Sequence, residues 1–180
     1  PEAVGLQLRH SRPRPHWQDG RMPLTTLQPL AVGHRAPDFA LRDQNGAEVS
    51  LSELTADKNV VIVFYPFAFS GICTGELDEI RDHLERFVSD DLQLVGISCD
   101  PVFALRAWAD QQGYFFPLLS DYWPHGEVAQ SYGVLNDRTG APVRGTFLVG
   151  RDGLVKWSLV NGPGDRRDFS DLPAEVAALP

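Results

Sequence analysis

Asn59-Val60-Val61-Ile62-Val63-Phe64-Tyr65-Pro66-Phe67-Ala68-Phe69-Ser70-Gly71-Ile72-Cys73 is the stretch from which the fold can be read. Asn59 to Tyr65 is an almost unbroken β-branched and aromatic run, the pattern of a central strand covered on both faces. Pro66 stops it, because proline donates nothing to a sheet ladder. Beyond the cysteine, Leu77, Ile80, Leu84 and Phe87 recur at helical spacing, with Asp78, Arg81, Asp82 and Glu85 between them. This predicts an amphipathic helix over about residues 73–88. Cys73 thus stands where a buried strand gives way, through a short loop, to the first turn of a helix.

Outward from this core the same alternation continues. Upstream, Asn45-Gly46 sits between short alternating segments over Phe39 to Val49, a strong hairpin signal. Ser50-Leu51-Ser52-Glu53 follows as a capping box opening a short helix. Downstream, Leu92–Ser98 reads as a strand, Pro101–Gln112 as a helix closed by Gly113, and Phe116–Leu119 as a short strand. A helical stretch at Glu127–Tyr132 precedes a hairpin of Arg144–Val149 and Leu154–Val160 around Gly150-Arg151-Asp152-Gly153, and Leu172–Leu179 closes with a helix. Strands alternating with helices before a final hairpin predict a three-layer α/β domain with a central mixed sheet and an N-terminal β-hairpin.

The chain has 180 residues and a formal charge of −8, a size suited to one domain. Residues 1–29 differ from the rest: they hold five of the fourteen prolines, and Arg9, Arg12, Arg14 and Arg21 against only Glu2 and Asp19. That segment carries +2, which leaves −10 for residues 30–180. It has no apolar periodicity, so it is expected to be a disordered extension preceding the folded domain. Met22, the only methionine, suggests a natural start with residues 1–21 lying upstream of it; a basic arm for an acidic partner is the alternative. The acidic balance argues against nucleic acid, which requires clustered positive charge. No apolar run is long enough for a membrane helix and no secretory signal is present, so a cytoplasmic location is expected.

Two cysteines are too few for a disulfide scaffold or a four-cysteine zinc site. The histidines (His10, His16, His34, His83 and His125) show no metal-ligand spacing, and no metal is expected. At a helix N-terminus, unpaired N–H groups and the dipole favour an anion, so the Cys73 position favours thiolate over thiol. Ser70 can cap that helix or reach a ligand at the sulfur, and Glu76, one turn on, can anchor a cation beside it. The competing reading is an inert core cysteine, since free cysteine is commonly buried. A dithiol oxidoreductase is excluded, because positions 70 and 76 are Ser and Glu where a second cysteine would have to stand.

Pro66, Ser70 and Cys73 have the spacing Pro-x-x-x-Thr/Ser-x-x-Cys, and with Phe64-Tyr65-Pro66 they resemble the peroxiredoxin family. Ala36-Pro37-Asp38-Phe39, Glu76, Ser98-Cys99-Asp100 and Arg144-Gly145-Thr146-Phe147 agree in order over residues 30–170. Gly71-Ile72-Cys73-Thr74-Gly75-Glu76-Leu77 and Phe116 to Gly126 look most like the one-cysteine AhpE-type subgroup. The resemblance implies a thioredoxin-like fold and a thiol-dependent peroxidase that acts on hydrogen peroxide and organic hydroperoxides. It implies Cys73 as peroxidatic cysteine, with Pro66, Ser70 and Arg144 completing the site. It further implies no cofactor, frequent homodimers, and recycling by an external thiol: mycothiol with a glutaredoxin-like partner, or a thioredoxin-like protein. A redox-sensing or chaperone-like protein switched by the same cysteine is the alternative. Serine at position 70 departs from the threonine of many relatives, keeping the hydroxyl but losing a methyl that restricts its rotamer.

Thiolate formation alone is insufficient for such a reaction. A free thiol is only about 3% ionised at neutral pH, so full ionisation gains roughly 30-fold. Over the same change nucleophilicity falls about 15- to 30-fold, at a Brønsted slope of ~0.4–0.5. Donors aimed at the departing oxygen must supply the rest, and Arg144, Ser70 and the backbone N–H groups around Cys73 are the candidates. Cys99 follows a strand whose carboxyl end shares the sheet edge of Cys73. It is either a resolving cysteine or a small buried residue.

Overall fold

The computed structural model describes residues 27–179. Residues 1–26, with most of the expected extension and Met22, lie outside the described residues. Leu27 to Pro29, expected to belong to the extension, are instead seated on the domain. Leu27 is half-buried against the core. At Gly133, which has φ +68°, a Cβ would stand 1.8 Å from the Gln28 carbonyl oxygen. Only glycine accepts both that backbone and that approach.

The elements in chain order are β1 (Ala40–Asp43), β2 (Glu48–Ser50), α1 (Leu51–Asp57), β3 (Asn59–Phe64), α2 (Gly71–Asp82), β4 (Leu92–Ser98), α3 (Val102–Gln112), β5 (Leu118–Ser120), α4 (Glu127–Ser131), β6 (Leu135–Asn136), β7 (Ala141–Pro142), β8 (Arg144–Val149), β9 (Val155–Asn161) and α5 (Leu172–Ala177). The expected N-terminal hairpin is β1–β2, turning through Gly46 at φ +85°. Seven strands form one mixed sheet in the order β2-β1-β5-β4-β3-β8-β9. The pairs β3–β4 and β4–β5 are parallel, whereas β8 runs antiparallel to both β3 and β9.

Alternation along β3 divides the interior into two layers. Val61, Val63 and Tyr65 meet Cys73, Leu77, Leu105, Trp108 and Leu172 on the side of α2, α3 and α5. Val60, Ile62 and Phe64 meet Leu51, Val128, Ala129 and Tyr132 on the side of α1 and α4. Helices on both faces of one mixed sheet give the expected three layers. Among the described residues no helix is long and apolar enough to cross a membrane.

Several boundaries differ from expectation. The helix carrying Cys73 begins at Gly71, capped by Ser70, and stops at Asp82; a 3-10 turn covers Leu84–Arg86. Leu84 and Phe87 are three apart, a spacing that serves a 3-10 turn as well as an α-helix, so apolar periodicity could not place the break. The strand expected at 116–119 begins at Leu118, because the Gln44 side chain takes the Phe116 carbonyl and the Leu118 N–H. The two-residue strands β6 and β7 are too short to leave a period in the sequence.

Candidate active site

Parallel pairing places the carboxyl ends of β3, β4 and β5 on one edge of the sheet. Antiparallel pairing brings the beginning of β8 to that edge, since Val63 lies opposite Thr146. Arg144, two residues before Thr146, therefore arrives beside the loop that leaves β3. This is how residues far apart in sequence come to share a site.

Cys73 is the third residue of α2 and is fully buried. Its N–H donates to the Ser70 hydroxyl oxygen at 3.4 Å, and the Thr74 N–H donates to the Ser70 carbonyl at 2.8 Å. The hydroxyl proton of Ser70 is thus left free to donate elsewhere. Pro66 is buried at the start of the loop. Between them Phe69 adopts φ +63°. A left-handed backbone at a bulky residue costs about 1–3 kcal/mol and persists only where surrounding contacts impose it.

Arg144 is 2% exposed rather than a surface arginine. Its Nη1 lies 3.5 Å from the Cys73 sulfur and donates to Glu76 Oε2 at 2.6 Å, while Nε donates to the Pro163 carbonyl. Glu76 holds a second arginine that no motif had marked. Arg167 Nη2 donates to the same Oε2 at 2.8 Å, and the Arg167 backbone N–H donates to Oε1 at 2.8 Å. Arg167 Nη1 also donates to the carbonyls of Phe64 and Gly145 and to the Thr146 hydroxyl. These groups lie where the β3–β8 ladder ends at Val63 and Thr146, so the guanidinium satisfies oxygens that the sheet leaves open. Arg167 sits in an irregular segment, where no period predicts burial.

Glu76 therefore anchors two cations, where the sequence suggested one. Burial by itself would raise its carboxyl. The charge and hydrogen bonds of Arg167, followed by the charge of Arg144, outweigh burial and hold Glu76 below the usual carboxylate range. Burial lowers the Arg167 guanidinium, and the charge of Glu76 opposes it. Two guanidinium groups facing one carboxylate leave a single unbalanced positive charge next to the Cys73 sulfur. A negative sulfur, or negative charge developing on a bound oxygen, would balance it.

Cys99 is buried on the other side of the sheet. Its sulfur lies 3.5 Å from where a Cβ on Gly126 would stand, at the start of α4. Burial, then the charges of Asp121 and Asp100, push its thiol up to about 12. The structure does not bring it to Cys73. His125 is paired through Nε2 with the Gly140 carbonyl.

Asp121, beside Cys99, accepts the N–H groups of Val128 and Ala129 in α4. Burial nevertheless outweighs those bonds and raises its carboxyl to about 6. An unfolded aspartate ionises near pH 4, so from about pH 4 to 6 the native state holds the extra proton and stability falls as pH rises. Relative to wild type, Asp121→Asn should gain about 2–3 kcal/mol between pH 4 and 7. Urea titrations at both pH values check this; a constant difference would refute it.

The AhpC/TSA family model matches residues 32–158. Alkyl hydroperoxide reductase E of Mycobacterium tuberculosis is 51% identical over 150 residues, which cover 83% of this chain and 98% of that protein. The chloroplastic 2-Cys peroxiredoxin BAS1 of Hordeum vulgare is 31% identical over 158 residues, covering 82% and 74%. Among solved structures, peroxidoxin BcpB of M. tuberculosis superposes with a TM-score of 0.73 at 33% identity, covering 83% of this chain and 97% of that one. Enterococcus faecalis AhpC gives 0.74 at 27%, covering 82% and 90%. With its thioredoxin-like fold and these relatives, the chain belongs to the AhpC/TSA family of peroxiredoxins.

Proposed function

We propose that Cys73 is the peroxidatic cysteine of this thiol-dependent peroxidase, acting on hydrogen peroxide and organic hydroperoxides. The observation that carries the reading is the Arg144 guanidinium held 3.5 Å from the Cys73 sulfur by Glu76. The thiolate attacks the terminal peroxide oxygen. An S–O bond forms as the O–O bond breaks, and its electron pair leaves on the distal oxygen, which takes up a proton. Sulfur is oxidised by two electrons to the sulfenic acid, and the peroxide is reduced to water or an alcohol. Arg144 meets the departing charge with fixed donors and stays ionised throughout. Ser70 supplies a hydroxyl donor, and Pro66 closes the loop against water and shields the sulfenic acid from further oxidation.

Recycling is assigned to an external thiol, either mycothiol with a glutaredoxin-like partner or a thioredoxin-like protein. It displaces hydroxide from the sulfenic acid as a mixed disulfide, and a second thiol frees Cys73. The burial of Cys99 on the far side of the sheet supports an external reductant over an internal one. Reduced thiols of this kind are maintained in the cytoplasm, where we place the protein. The exposed aromatic rings of Phe67, Phe69, Phe103 and Trp123 support a homodimer.

Treatment with one equivalent of peroxide in the presence of a sulfenic-acid trap, followed by non-reducing peptide mapping, tests the reading. The trap is expected on Cys73 alone, and Cys73→Ser should show neither labelling nor turnover with a thiol reductant. Labelling elsewhere refutes the assignment, and a Cys73–Cys99 disulfide would make Cys99 the resolving cysteine.

A further inference from the structure

The strained Phe69 lies in the tight turn Phe67–Ser70 between β3 and α2. Within that turn the Ala68 N–H points out to a side chain and donates to Asp100 Oδ2 at 2.8 Å. Asp100 is itself fixed on several sides. The Ser98 hydroxyl donates to the same Oδ2 at 2.8 Å and accepts the Asp100 N–H at 3.2 Å. The Ser120 hydroxyl donates to the Asp100 carbonyl at 2.7 Å. Ser98 ends β4 and Ser120 ends β5, so one strand holds the Asp100 carboxylate and the neighbouring parallel strand holds its main-chain carbonyl. Asp100 functions as a rigid post at the sheet edge from which the β3–α2 loop hangs.

We propose that Asp100 is a positioning residue for Cys73. Its hydrogen bonds go to Ala68, Ser98 and Ser120, and none reaches the sulfur among the described residues. By holding Ala68 it sets the path of the next two residues: Phe69, in its left-handed conformation against Trp108 with ring centroids 6.1 Å apart, and Ser70, the cap of α2. Ser70 in turn holds the Cys73 N–H. Without the post, Phe69 is free to leave its strained backbone, and the cap and the sulfur shift within the first turn of α2 relative to Arg144, which β8 and the Pro163 carbonyl hold from outside that helix. The carboxylate thus keeps two halves of the site in register, one on α2 and the other on β8. A carbonyl oxygen in the same place can accept both donors, so the role needs an acceptor at this position rather than a negative charge.

This inference rests on Cys73 being the peroxidatic cysteine, and its test separates the two. Stopped-flow oxidation of Cys73 by hydrogen peroxide is compared in wild type, Asp100→Ala and Asp100→Asn, with amide hydrogen exchange measured on the reduced proteins. Asp100→Ala is expected to oxidise at least about tenfold more slowly and to exchange faster at the Ala68 and Cys73 amides, with β3 and β4 unchanged; Asp100→Asn should stay within about threefold of wild type. Wild-type or faster oxidation in a folded Asp100→Ala, or an equal loss in Asp100→Asn, overturns the proposal. If Asp100→Ala does not fold, Ser98→Ala decides, because it frees the carboxylate without removing it. About threefold slower oxidation with the same local exchange supports the post, and an unchanged rate removes it. Failure of wild-type Cys73 to react with peroxide would instead refute the peroxidatic assignment, while exchange at Ala68 still reports on the tether.

Discussion

Replacing Arg144 with alanine is expected to slow the oxidation of Cys73 by peroxide at least about tenfold, measured by stopped flow at saturating thiol reductant and varied peroxide. The reason is electrostatic and geometric together. Negative charge develops on the oxygen that leaves, and Arg144 is the group nearest the sulfur that is both ionised and fixed, at 3.5 Å. A preorganised donor of this kind is worth about 2.7–4 kcal/mol, so the loss can reach two to three orders of magnitude. The ordering effect of Glu76 makes the substitution with lysine informative. Lysine keeps the charge but replaces a rigid fork with one flexible ammonium, and it should recover only part of the rate. A near wild-type rate in Arg144→Ala would remove Arg144 from the mechanism.

The largest effect on stability is expected at Glu76. Its two oxygens receive four donors from Arg144 and Arg167, and all three side chains are buried. Glu76→Ala leaves two guanidinium groups without a counter-charge, and breaking such a buried pair costs about 3–5 kcal/mol. Urea unfolding at pH 7 measures it, and a change below about 1 kcal/mol would show that the cluster is solvated after all. The pH dependence has a definite sign. Because the carboxyl is held below its usual range when folded, its contribution is complete above the ordinary glutamate range and is lost as pH falls through the depressed value. The gap between wild type and Glu76→Ala should therefore narrow in acid.

Much of the layout was legible because burial leaves periods. The run from Asn59 to Tyr65 could only be a strand covered on both sides, and it is fully buried. Pro66, Ser70 and Cys73 lie within one loop and one helical turn, so chain geometry alone confines them to a single place. Glu76 follows from the same turn. The break after Asp82 was not legible, since Leu84 and Phe87 satisfy either helix type.

By itself the sequence determined the local half of the site, namely a strand, a stop, a capped helix and a cysteine in its first turn. Its family pattern brought Arg144 into consideration without locating it. Only the tertiary structure decided which distant groups meet the sulfur. Antiparallel pairing of β8 with β3 delivers Arg144, and an irregular segment after β9 delivers Arg167, whose guanidinium answers carbonyls that the sheet leaves open. It also set Cys99 on the far side of the sheet and turned Asp100 into a tether. Local contacts follow from bond geometry and the spacing of residues a turn or less apart. Long-range contacts depend on strand order and direction, which the spacing of residues along the chain does not encode.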